Sequence, residues 1–325
     1  MKKINIAVIG TGQISVQACQ WISLSEQANL QAICGRNTLR VKALAETYQA
    51  DNAYTSLEKL LADETTEVVY IATPNATHYD YVKKALASSK HVIVEKTAFY
   101  TTEQAEEMFQ LAEQNRVMLF EAMRTIYEPN FAVLTESLQK IGELHSVSLK
   151  YQNYSKQCLQ SGQPAILDEA HGGGTLRTIG IYPIYIAVAL FGKPEAVFYH
   201  QQKQEEGRDF GGTLVLDYKT HPVVIAVSKI ANSTENYSEF YGSKGTVTLD
   251  RCFDIQSLTY YPLQKESKTI ATHAVTTNGL EHEFSYFIKT IQTNSYKNYR
   301  QAKLLTLLTT AIIETALDFG KKDMK

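Results

Sequence analysis

The first 122 residues alternate short apolar runs with segments of helical period, and this alternation constrains the fold more than any other feature. The runs are rich in β-branched residues and are bounded by polar or turn residues, as buried strands are. Strands are predicted at 4–9, 30–34, 68–72, 91–94 and 117–120, and helices at 14–24, 39–48, 57–62, 77–87 and 102–114. Repeated strand–helix–strand units require a parallel sheet with helices on both faces. Residues 1–122 are therefore predicted to form a doubly wound α/β domain of the Rossmann type.

The pattern changes near residue 123, where helices and strands no longer alternate. A helix at 127–138, a strand at 144–153, an irregular stretch at 155–174 and a helix at 175–191 come first. Successive strands joined by short connections follow at 196–200, 212–218, 223–230, 239–241, 246–249 and 257–261, and helices at 279–293 and 302–319 end the chain. Short connections between strands favour antiparallel pairing, so residues 123–325 are predicted to form an α+β domain with a mostly antiparallel sheet.

The composition limits the kinds of molecule that the protein is expected to bind. The 32 Lys and Arg against 34 Asp and Glu give a net charge of −2, which provides no field to attract nucleic acid or an anionic membrane, so a small molecule is the expected partner. No segment reaches the roughly 18 apolar residues of a membrane span, and Gly10 interrupts the first apolar run too early for a secretion signal. The four cysteines form no C-x-x-C pair, which is typical of a reducing compartment. We expect a cytoplasmic protein without a metal site.

A glycine motif follows the first predicted strand directly. The segment Gly10-Thr11-Gly12-Gln13-Ile14 has the first two glycines of G-x-G-x-x-G, and the small Ser15 stands in place of the third. Gly10 permits a tight turn, and Gly12 lets the backbone approach a pyrophosphate at the start of the next helix. A turn that merely needs glycine is the alternative, but the position between strand and helix favours a dinucleotide site.

The end of the second strand bears on the choice of dinucleotide. An NAD site places Asp or Glu here to bind the ribose hydroxyls, whereas this chain has Gly35 followed by Arg36 and Asn37. A guanidinium without a carboxylate suits a 2′-phosphate, with Arg36, Asn37 and Arg40 as donors. NADP is therefore the preferred cofactor, while NAD stays open because Arg36 is equally suited to stack on adenine.

Polar residues follow several other predicted strands. Thr73-Pro74-Asn75, Glu95-Lys96 and Glu121 each come directly after an apolar run, so all of them are expected at the carboxyl edge of one parallel sheet. Ligands bind at that edge in open α/β folds. These segments are therefore predicted to form one site with the glycine turn.

These motifs, with later ones, make the chain similar to the glucose-fructose oxidoreductase, inositol dehydrogenase and rhizopine-catabolism family, usually called Gfo/Idh/MocA. The resemblance covers almost the whole chain and includes Gly10-Thr11-Gly12, Thr73 to His78, Glu95-Lys96, Arg124, Gly142-Glu143, Gly172 to Leu176, Gly180 to Pro183 and Gly242 to Gly245. It implies a Rossmann domain and a second domain whose open sheet often mediates dimerisation, hence a homodimer or higher oligomer. It also implies reversible hydride transfer between NAD(P) and a hydroxyl or carbonyl carbon of a small sugar-like, polyol or diol substrate.

The resemblance assigns Lys96 to catalysis, because the lysine of the family's Glu-Lys-Pro motif reaches the reacting oxygen and the nicotinamide ribose. Independently, an ammonium group beside a developing alkoxide lowers the cost of its charge. Thr73, Pro74, Asn75, His78 and Glu95 are assigned to the cofactor site with Lys96. The sequence departs from the motif at Thr97, where the family has proline, so the shape of this turn stays open.

A second assignment lies on the helix predicted after the glycines. Thr178, Tyr182 and Tyr185 are spaced i, i+4 and i+7, which predicts one shared helix face. Dihydrodiol dehydrogenase-like members of the family resemble this chain in having tyrosine at the middle position, so Tyr182 is the candidate general acid–base. A phenol has a pKa of about 10, and a neighbouring ammonium such as that of Lys96 favours its ionised form.

Thr178, Tyr185, Arg124 and His171 are predicted to bind substrate. Carboxylates of the family are missing at positions 178 and 185, which favours a substrate less polar or smaller than a free hexose. An ion pair for Arg124 and a solvated loop for His171 are the structural alternatives. Two other functions stay open: a non-catalytic NADP-binding sensor or co-repressor on the same fold, and an NAD-dependent glycosidase.

Overall fold

The computed structural model describes residues 2–156, 173–203, 209–233, 235, 237–274 and 279–322. The chain divides into two compact units, and each is described here by itself. The first consists of Met1–Ala122 and Thr277–Leu307, and the second of Met123–Thr276 and Leu308–Lys325. Residues 277–307 thus group with the first unit, although the division of the sequence at residue 122 had placed them in the second domain.

The first unit contains a six-stranded sheet in the order β3-β2-β1-β4-β5-β6, and every pair of neighbours is parallel. Its strands are β1 (Ile4–Ile9), β2 (Ala28–Cys34), β3 (Asn52–Tyr54), β4 (Val68–Ile71), β5 (His91–Glu95) and β6 (Leu119–Ala122). The helices between them are α1 (Gln13–Leu24), α2 (Thr38–Tyr48), α3 (Leu57–Leu61), α4 (His78–Ala87) and α5 (Thr102–Gln114). This order is that of the Rossmann fold, and the predicted doubly wound parallel sheet is confirmed.

Burial explains why these segments are strands. All four residues of β4 are buried, and five of the six residues of β1 are, because helices cover both faces of the sheet. The sequence analysis did not predict β3, a three-residue edge strand without an apolar run. The carboxyl ends of β1, β4, β5 and β6 lie side by side in the sheet, so the polar segments that follow them meet at one edge.

The end of the chain also contributes to the first unit. Helix α8 (Glu281–Gln292) and the beginning of α9 (Tyr296–Lys322) supply aromatic rings. The ring centroid of Phe284 lies 5.0 Å from those of Trp21 and Tyr70, and Phe287 stacks on Phe120 at 4.6 Å. Residues from the two ends of the sequence thus share one core, in which aromatic contacts add to the gain from apolar burial.

The second unit is built on an eight-stranded sheet in the order β14-β13-β12-β11-β7-β10-β9-β8. Its strands are β7 (Leu144–Gln152), β8 (Ala196–Lys203), β9 (Asp209–Asp217), β10 (Pro222–Ser228), β11 (Ser238–Gly242), β12 (Gly245–Leu249), β13 (Leu258–Pro262) and β14 (Lys268–Ile270). Only β7 and β10 pair in parallel, so the prediction of a mostly antiparallel sheet is confirmed. The edge strands β14 and β8 do not pair with each other, so the sheet is open.

Side chains alternate across this sheet. Val147, Leu149, Ile225 and Val247 are buried on one face, whereas neighbouring serines and threonines lie on the other. Helices α6 (Pro129–Leu138) and α7 (Ile181–Phe191) belong to the same unit, and a 3₁₀ turn at Arg124–Tyr127 precedes α6. One turn of π-helix, Leu176–Gly180, leads directly into α7. Among the residues that the structure describes, no helix is both long and apolar enough to span a membrane.

Candidate active site

The glycine turn after β1 is tightly constrained at its first glycine and open at its second. Gly10 has a φ of +127°, and a Cβ atom there would lie 2.3 Å from the carbonyl oxygen of Ala72. A Cβ atom on Gly12 would have no heavy atom within 4 Å, and Gly12 begins α1 with no side chain capping the helix. Ser15 is buried, with its hydroxyl 3.4 Å from the Ala72 carbonyl. Free space and uncapped N–H groups at Gly12 fit the approach of a pyrophosphate.

The turn after β2 leaves two guanidinium groups exposed. A Cβ atom on Gly35 would lie 2.9 Å from the Thr11 side chain, so only a very small residue fits. The side-chain oxygen of Asn37 accepts a hydrogen bond from the backbone N–H of Arg40 at 3.1 Å and caps α2, so this oxygen already has a partner. Arg36 and Arg40 are exposed, and neither forms a salt bridge with any residue that the structure describes.

His78 joins the loops that follow β4 and β5. Its Nδ1 lies 3.0 Å from the carbonyl oxygen of Thr97, and its Nε2 lies 2.9 Å from that of Thr73. The ring is fully buried, and burial, followed by the charge of Lys96, lowers its pKa. A neutral imidazole carries one N–H and donates to one of the two carbonyls at a time. His78, predicted to bind the cofactor, thus contacts the two loops and has no exposed surface.

The segment next to Thr73 has its own hydrogen bonds. The hydroxyl of Thr77 lies 2.8 Å from that of Thr73 and 2.7 Å from the carbonyl oxygen of Pro74. Pro74 is exposed and Asn75 is half-buried. Of the residues predicted here, Pro74 has the most surface available for a ligand, and Thr73 and Asn75 are both half-buried.

The turn that carries Lys96 is held by buried neighbours on two strands. The Tyr70 hydroxyl donates to Oε1 of Glu95 at 2.5 Å, and the buried Glu121 carboxylate accepts from the backbone N–H of Ala98 at 2.8 Å. The peptide bond between Lys96 and Thr97 is cis. Lys96 is half-buried within this framework. The structure thus fixes the shape of the turn, which the sequence left open.

In the second unit, the π turn alters the arrangement expected for α7. Thr178 and Tyr182 are partly exposed, whereas Tyr185 is only 2% exposed. Because a π turn contains more residues than an α turn, the α-helical spacing used for the prediction does not hold across Leu176–Gly180. The Thr178 hydroxyl also donates its single hydrogen to the carbonyl oxygen of Gly174 at 2.8 Å. The π turn therefore removes the basis for placing Thr178 on the same face as Tyr182, whereas Tyr185, three residues after Tyr182 in α7, differs from it in being buried.

Tyr182 lies in an aromatic cluster formed by Tyr151, Tyr182 and Phe253. The ring centroid of Tyr182 is 5.8 Å from that of Tyr151 and 6.4 Å from that of Phe253, both edge-on, and Tyr151 stacks on Phe253 at 4.7 Å. Burial, followed by the charge of Tyr182, raises the pKa of Tyr151 to about 12, so Tyr151 stays neutral at physiological pH. Neither Tyr151 nor Phe253 was predicted from the sequence. Strand alternation places Tyr151 on the same face as Val147 and Leu149, but no pattern identified Phe253.

Arg124 fixes the loop that presents Phe253. Its Nε donates to the carbonyl oxygen of Phe253 at 3.1 Å, and the Thr125 hydroxyl donates to the same oxygen at 3.1 Å. The guanidinium also lies 3.9 Å from Oε1 of Glu128. The Arg124 side chain thus interacts with the backbone of Phe253 and with Glu128, and it remains partly exposed.

His171, predicted to bind substrate, lies outside the described residues. Within the described ranges, no group of three or more His, Cys, Asp or Glu side chains is arranged to hold a metal ion.

A six-stranded parallel sheet with a glycine turn after its first strand defines a Rossmann-type dinucleotide-binding protein. Residues 4–123 match the model of the oxidoreductase family with an NAD-binding Rossmann fold, and residues 137–248 match that of the GFO/IDH/MocA C-terminal domain. The chain belongs to the GFO/IDH/MocA oxidoreductase family. The predicted family and the prediction of an NAD(P)-dependent oxidoreductase are confirmed.

Individual relatives are similar over much of the chain. The chain is 33% identical over 255 residues to scyllo-inositol 2-dehydrogenase (NADP(+)) IolU of Bacillus subtilis, covering 76% of each chain. It is 30% identical over 220 residues to human trans-1,2-dihydrobenzene-1,2-diol dehydrogenase, covering 67% of this chain and 65% of the relative. Among solved structures, KijD10, a 3-ketoreductase from Actinomadura kijaniata in complex with NADP and TDP-benzene, has a TM-score of 0.84 at 19% identity and 98% coverage of both chains, which shows the common fold.

Proposed function

We propose that the protein catalyses NADP-dependent hydride transfer at a hydroxyl or carbonyl carbon of a small sugar-like, polyol or diol substrate, with Lys96 and Tyr182 as the catalytic residues. The observation that carries the proposal is the lysine turn at the carboxyl edge of the sheet. His78, Glu121 and the Tyr70–Glu95 contact hold this turn in place. A catalytic ammonium group must be held in a fixed orientation, and the residues around the half-buried Lys96 provide that support.

The site fits NADP on two observations. Open space at Gly12 accommodates a pyrophosphate, and Gly35 leaves no carboxylate to repel a 2′-phosphate. Arg36 follows β2 and Arg40 lies in the first turn of α2, both without acidic partners among the described residues, and they would bind the phosphate through charge-assisted hydrogen bonds. The related IolU is an NADP(+) enzyme, which supports the same preference. NAD is the second candidate.

The two catalytic residues would have separate tasks. When bound, the nicotinamide supplies the acceptor or donor of the hydride. The Lys96 ammonium would stabilise negative charge on the reacting oxygen, and the Tyr182 hydroxyl would exchange the proton of that oxygen. In the oxidative direction, Tyr182 as the phenolate would take the proton of the substrate hydroxyl; in reduction, the neutral Tyr182 hydroxyl would donate its proton to the new alkoxide.

The substrate class follows from the walls around Tyr182. Tyr151 and Phe253 offer apolar ring surfaces, and Arg124, which holds the Phe253 backbone, and Thr178 are partly exposed polar groups of the same unit. No carboxylate stands at positions 178 and 185 to bind a row of sugar hydroxyls. We therefore expect a diol or a partly apolar ring to be preferred over a free hexose. The burial of Tyr185 favours a packing role for that residue.

The proposal is tested by assaying the purified protein at 340 nm with NADP+ or NAD+ and three probes: scyllo-inositol, trans-1,2-dihydrobenzene-1,2-diol and D-xylose. Turnover of at least one probe with NADP+ is expected, the diol fastest. Lys96→Met and Tyr182→Phe are each expected to lower kcat by about 100-fold or more, because a positioned acid–base group contributes that much. Tyr182→Phe should keep the thermal shift that NADP+ produces, whereas Lys96→Met should reduce it, because Lys96 is also assigned to the cofactor site. Near wild-type turnover in Tyr182→Phe would contradict its assigned role.

The alternative functions give different results in the same assay. Tight NADP+ binding without turnover of any carbonyl or alcohol would favour a sensor or co-repressor. Release of a leaving group from a glycoside, without a net change at 340 nm, would favour an NAD-dependent glycosidase.

We also infer a cytoplasmic homodimer or higher oligomer that forms through the open sheet. The outward faces of β11, β12 and β13 expose Tyr261 and line a shallow groove with Tyr241, Thr246 and Thr248. Cys19, Cys34 and Cys252 are free and buried, as expected in a reducing compartment. Light scattering should give twice the chain mass or a higher multiple. Thr248→Arg should lower this mass, whereas Thr47→Arg on the first unit should not.

A further inference from the structure

Asp209 is a buried carboxylate to which the proposed reaction gives no task. It begins β9 and has no exposed surface. Its Oδ2 accepts a hydrogen bond from the backbone N–H of Leu176 at 3.0 Å, and its Oδ1 accepts one from the N–H of Gly211 at 3.0 Å. The Tyr199 hydroxyl lies 3.4 Å from Oδ1, and the Thr175 hydroxyl donates to the Asp209 carbonyl oxygen at 2.7 Å. These contacts connect the start of the helical segment at Leu176 to strand β9.

The helical segment has no side-chain cap from its own N-cap residues, and the Asp209 carboxylate takes that role. Neither the π turn nor α7 has a side-chain hydrogen bond from its own N-cap residue. Gly174 has a φ of +100°, and a Cβ atom there would lie 3.0 Å from Oδ2 of Asp209. Because the first N–H groups of a helix carry partial positive charge, a carboxylate at this end is electrostatically favourable. Asp209 thus caps the segment from a different part of the chain.

Tyr182 lies shortly beyond this anchored end, at the second residue of α7. The π turn connects the anchor at Leu176 with α7, so a movement of the first turn is passed to Tyr182 through continuous helical backbone. We propose that Asp209 is a positioning residue, whose carboxylate fixes the first turn of this helix and thereby sets the orientation of the Tyr182 hydroxyl. The inference rests on the acid–base role given to Tyr182 under the proposed function.

The chemistry of the contact explains why a carboxylate is needed. Its two oxygens each accept from a backbone N–H, one from Leu176 and one from Gly211. An asparagine has one acceptor oxygen, and its NH₂ group would face the N–H that the second carboxylate oxygen now accepts. Asp209→Asn therefore releases one of the two anchors while it preserves the size of the side chain.

The test uses full-length protein labelled with 3-fluorotyrosine, in which the ¹⁹F signals of Tyr182 and Tyr151 are assigned from Tyr182→Phe and Tyr151→Phe. Asp209→Asn is expected to shift the Tyr182 signal or split it, and to leave that of Tyr79 in the first unit unchanged. Asp217→Asn, which changes an exposed carboxylate on the same strand, is the matched control and should leave the Tyr182 signal in place. An unchanged Tyr182 signal in folded Asp209→Asn protein would overturn the inference.

If circular dichroism shows that Asp209→Asn does not fold, Asp209→Glu takes its place. This variant keeps the charge and both acceptor oxygens, but its extra methylene group displaces those oxygens from the N–H groups of Leu176 and Gly211. It should displace the Tyr182 signal in the same way, and an unchanged signal again overturns the inference.

Kinetics separate this inference from the proposed function. With a probe that is turned over, Asp209→Asn should lower kcat about tenfold or more and change the KM for NADP+ less than twofold. In the Tyr182→Phe background the same substitution should have no further effect, because Asp209 acts only through Tyr182. Full activity of Tyr182→Phe would contradict the proposed function, while the ¹⁹F measurement would still decide whether Asp209 positions Tyr182. Equal loss from Asp209→Asn in both backgrounds would overturn the positioning role alone.

Discussion

Glu128 is a carboxylate that the fold buries with only a long ion pair to Arg124. It is 6% exposed, and neither of its side-chain oxygens has a hydrogen-bond partner among the described residues. Burial raises the pKa of Glu128 from 4.5 to about 7; Arg124, 3.9 Å away, lowers it, and the nearby Asp254 raises it again. Since the pKa is higher in the folded state, stability from this group is present below pH 4.5 and is lost as the pH rises through 7.

Glu128→Gln should remove this pH dependence. Between pH 5 and pH 8, the free energy of unfolding of the wild type should fall relative to the variant by about 2 to 3 kcal/mol, because each unit of pKa shift corresponds to about 1.4 kcal/mol. Urea unfolding of both proteins at the two pH values measures the difference. Glu136→Gln on the exposed face of α6 is the control and should follow the wild type at both. A constant difference between Glu128→Gln and the wild type would contradict the prediction.

Arg36 is expected to decide the choice of cofactor. Arg36→Glu places a negative charge where the 2′-phosphate of NADP is proposed to bind, so the affinity for NADP+ should fall at least tenfold, or about 1.4 kcal/mol. The affinity for NAD+, which lacks this phosphate, should change little. Thermal shifts at a series of cofactor concentrations measure both. Lys42→Glu makes the same change of charge further along α2 and should have a much smaller effect. Equal losses for the two cofactors would argue against a phosphate contact.

Individual site residues were predictable to different extents. The Glu95-Lys96 and Thr73-Pro74-Asn75 segments were found because each follows an apolar run, a pattern local in sequence. Phe253 was missed because it reaches Tyr182 from a loop after β12, and only a folded sheet brings the two together. Contacts between residues so far apart in sequence leave no periodic signal.

At the scale of elements, apolar runs and helical period were sufficient for most of the fold. The predicted bounds of β1 and α5 match the structure at both ends, because polar or turn residues mark where each element begins and ends. The three-residue edge strands β3 and β14 bury little and have no comparable pattern. The π turn was also not predictable, since five residues are too few for apolar spacing to distinguish it from an α turn.

The turn between β1 and α1 allows two glycine variants to be compared. Gly10→Ala should lower the free energy of unfolding by several kcal/mol, because its Cβ would lie 2.3 Å from the Ala72 carbonyl at a φ that alanine rarely adopts. Gly12→Ala meets no atom within 4 Å and should unfold like the wild type. It should nevertheless bind NADP+ more weakly, since the methyl group occupies the space of the proposed pyrophosphate. Urea unfolding and thermal shift with NADP+ measure the two effects separately. If Gly12→Ala binds NADP+ as tightly as the wild type, the pyrophosphate does not bind at this turn.

At the scale of the whole molecule, the chain returns to its first unit near its end. Residues 277–307 group with the parallel sheet, and Phe284 has no exposed surface there. The sequence analysis found helices in this segment but assigned them to the second domain. Helical period shows that one face is apolar, but not which core that face joins.

The single tryptophan makes this return measurable, because Trp21 belongs to the first unit and its ring lies 5.0 Å from that of Phe284. Phe284→Ala should lower the free energy of unfolding reported by Trp21 fluorescence by about 3 to 5 kcal/mol, the usual cost of a large cavity in a core. Leu304→Ala truncates an apolar side chain that is 54% exposed in the same segment and should cost much less. A fragment of residues 1–122 lacks this aromatic cover and should show no cooperative Trp21 transition, with or without NADP+. A cooperative transition in that fragment would mean that the parallel sheet is stable without the end of the chain.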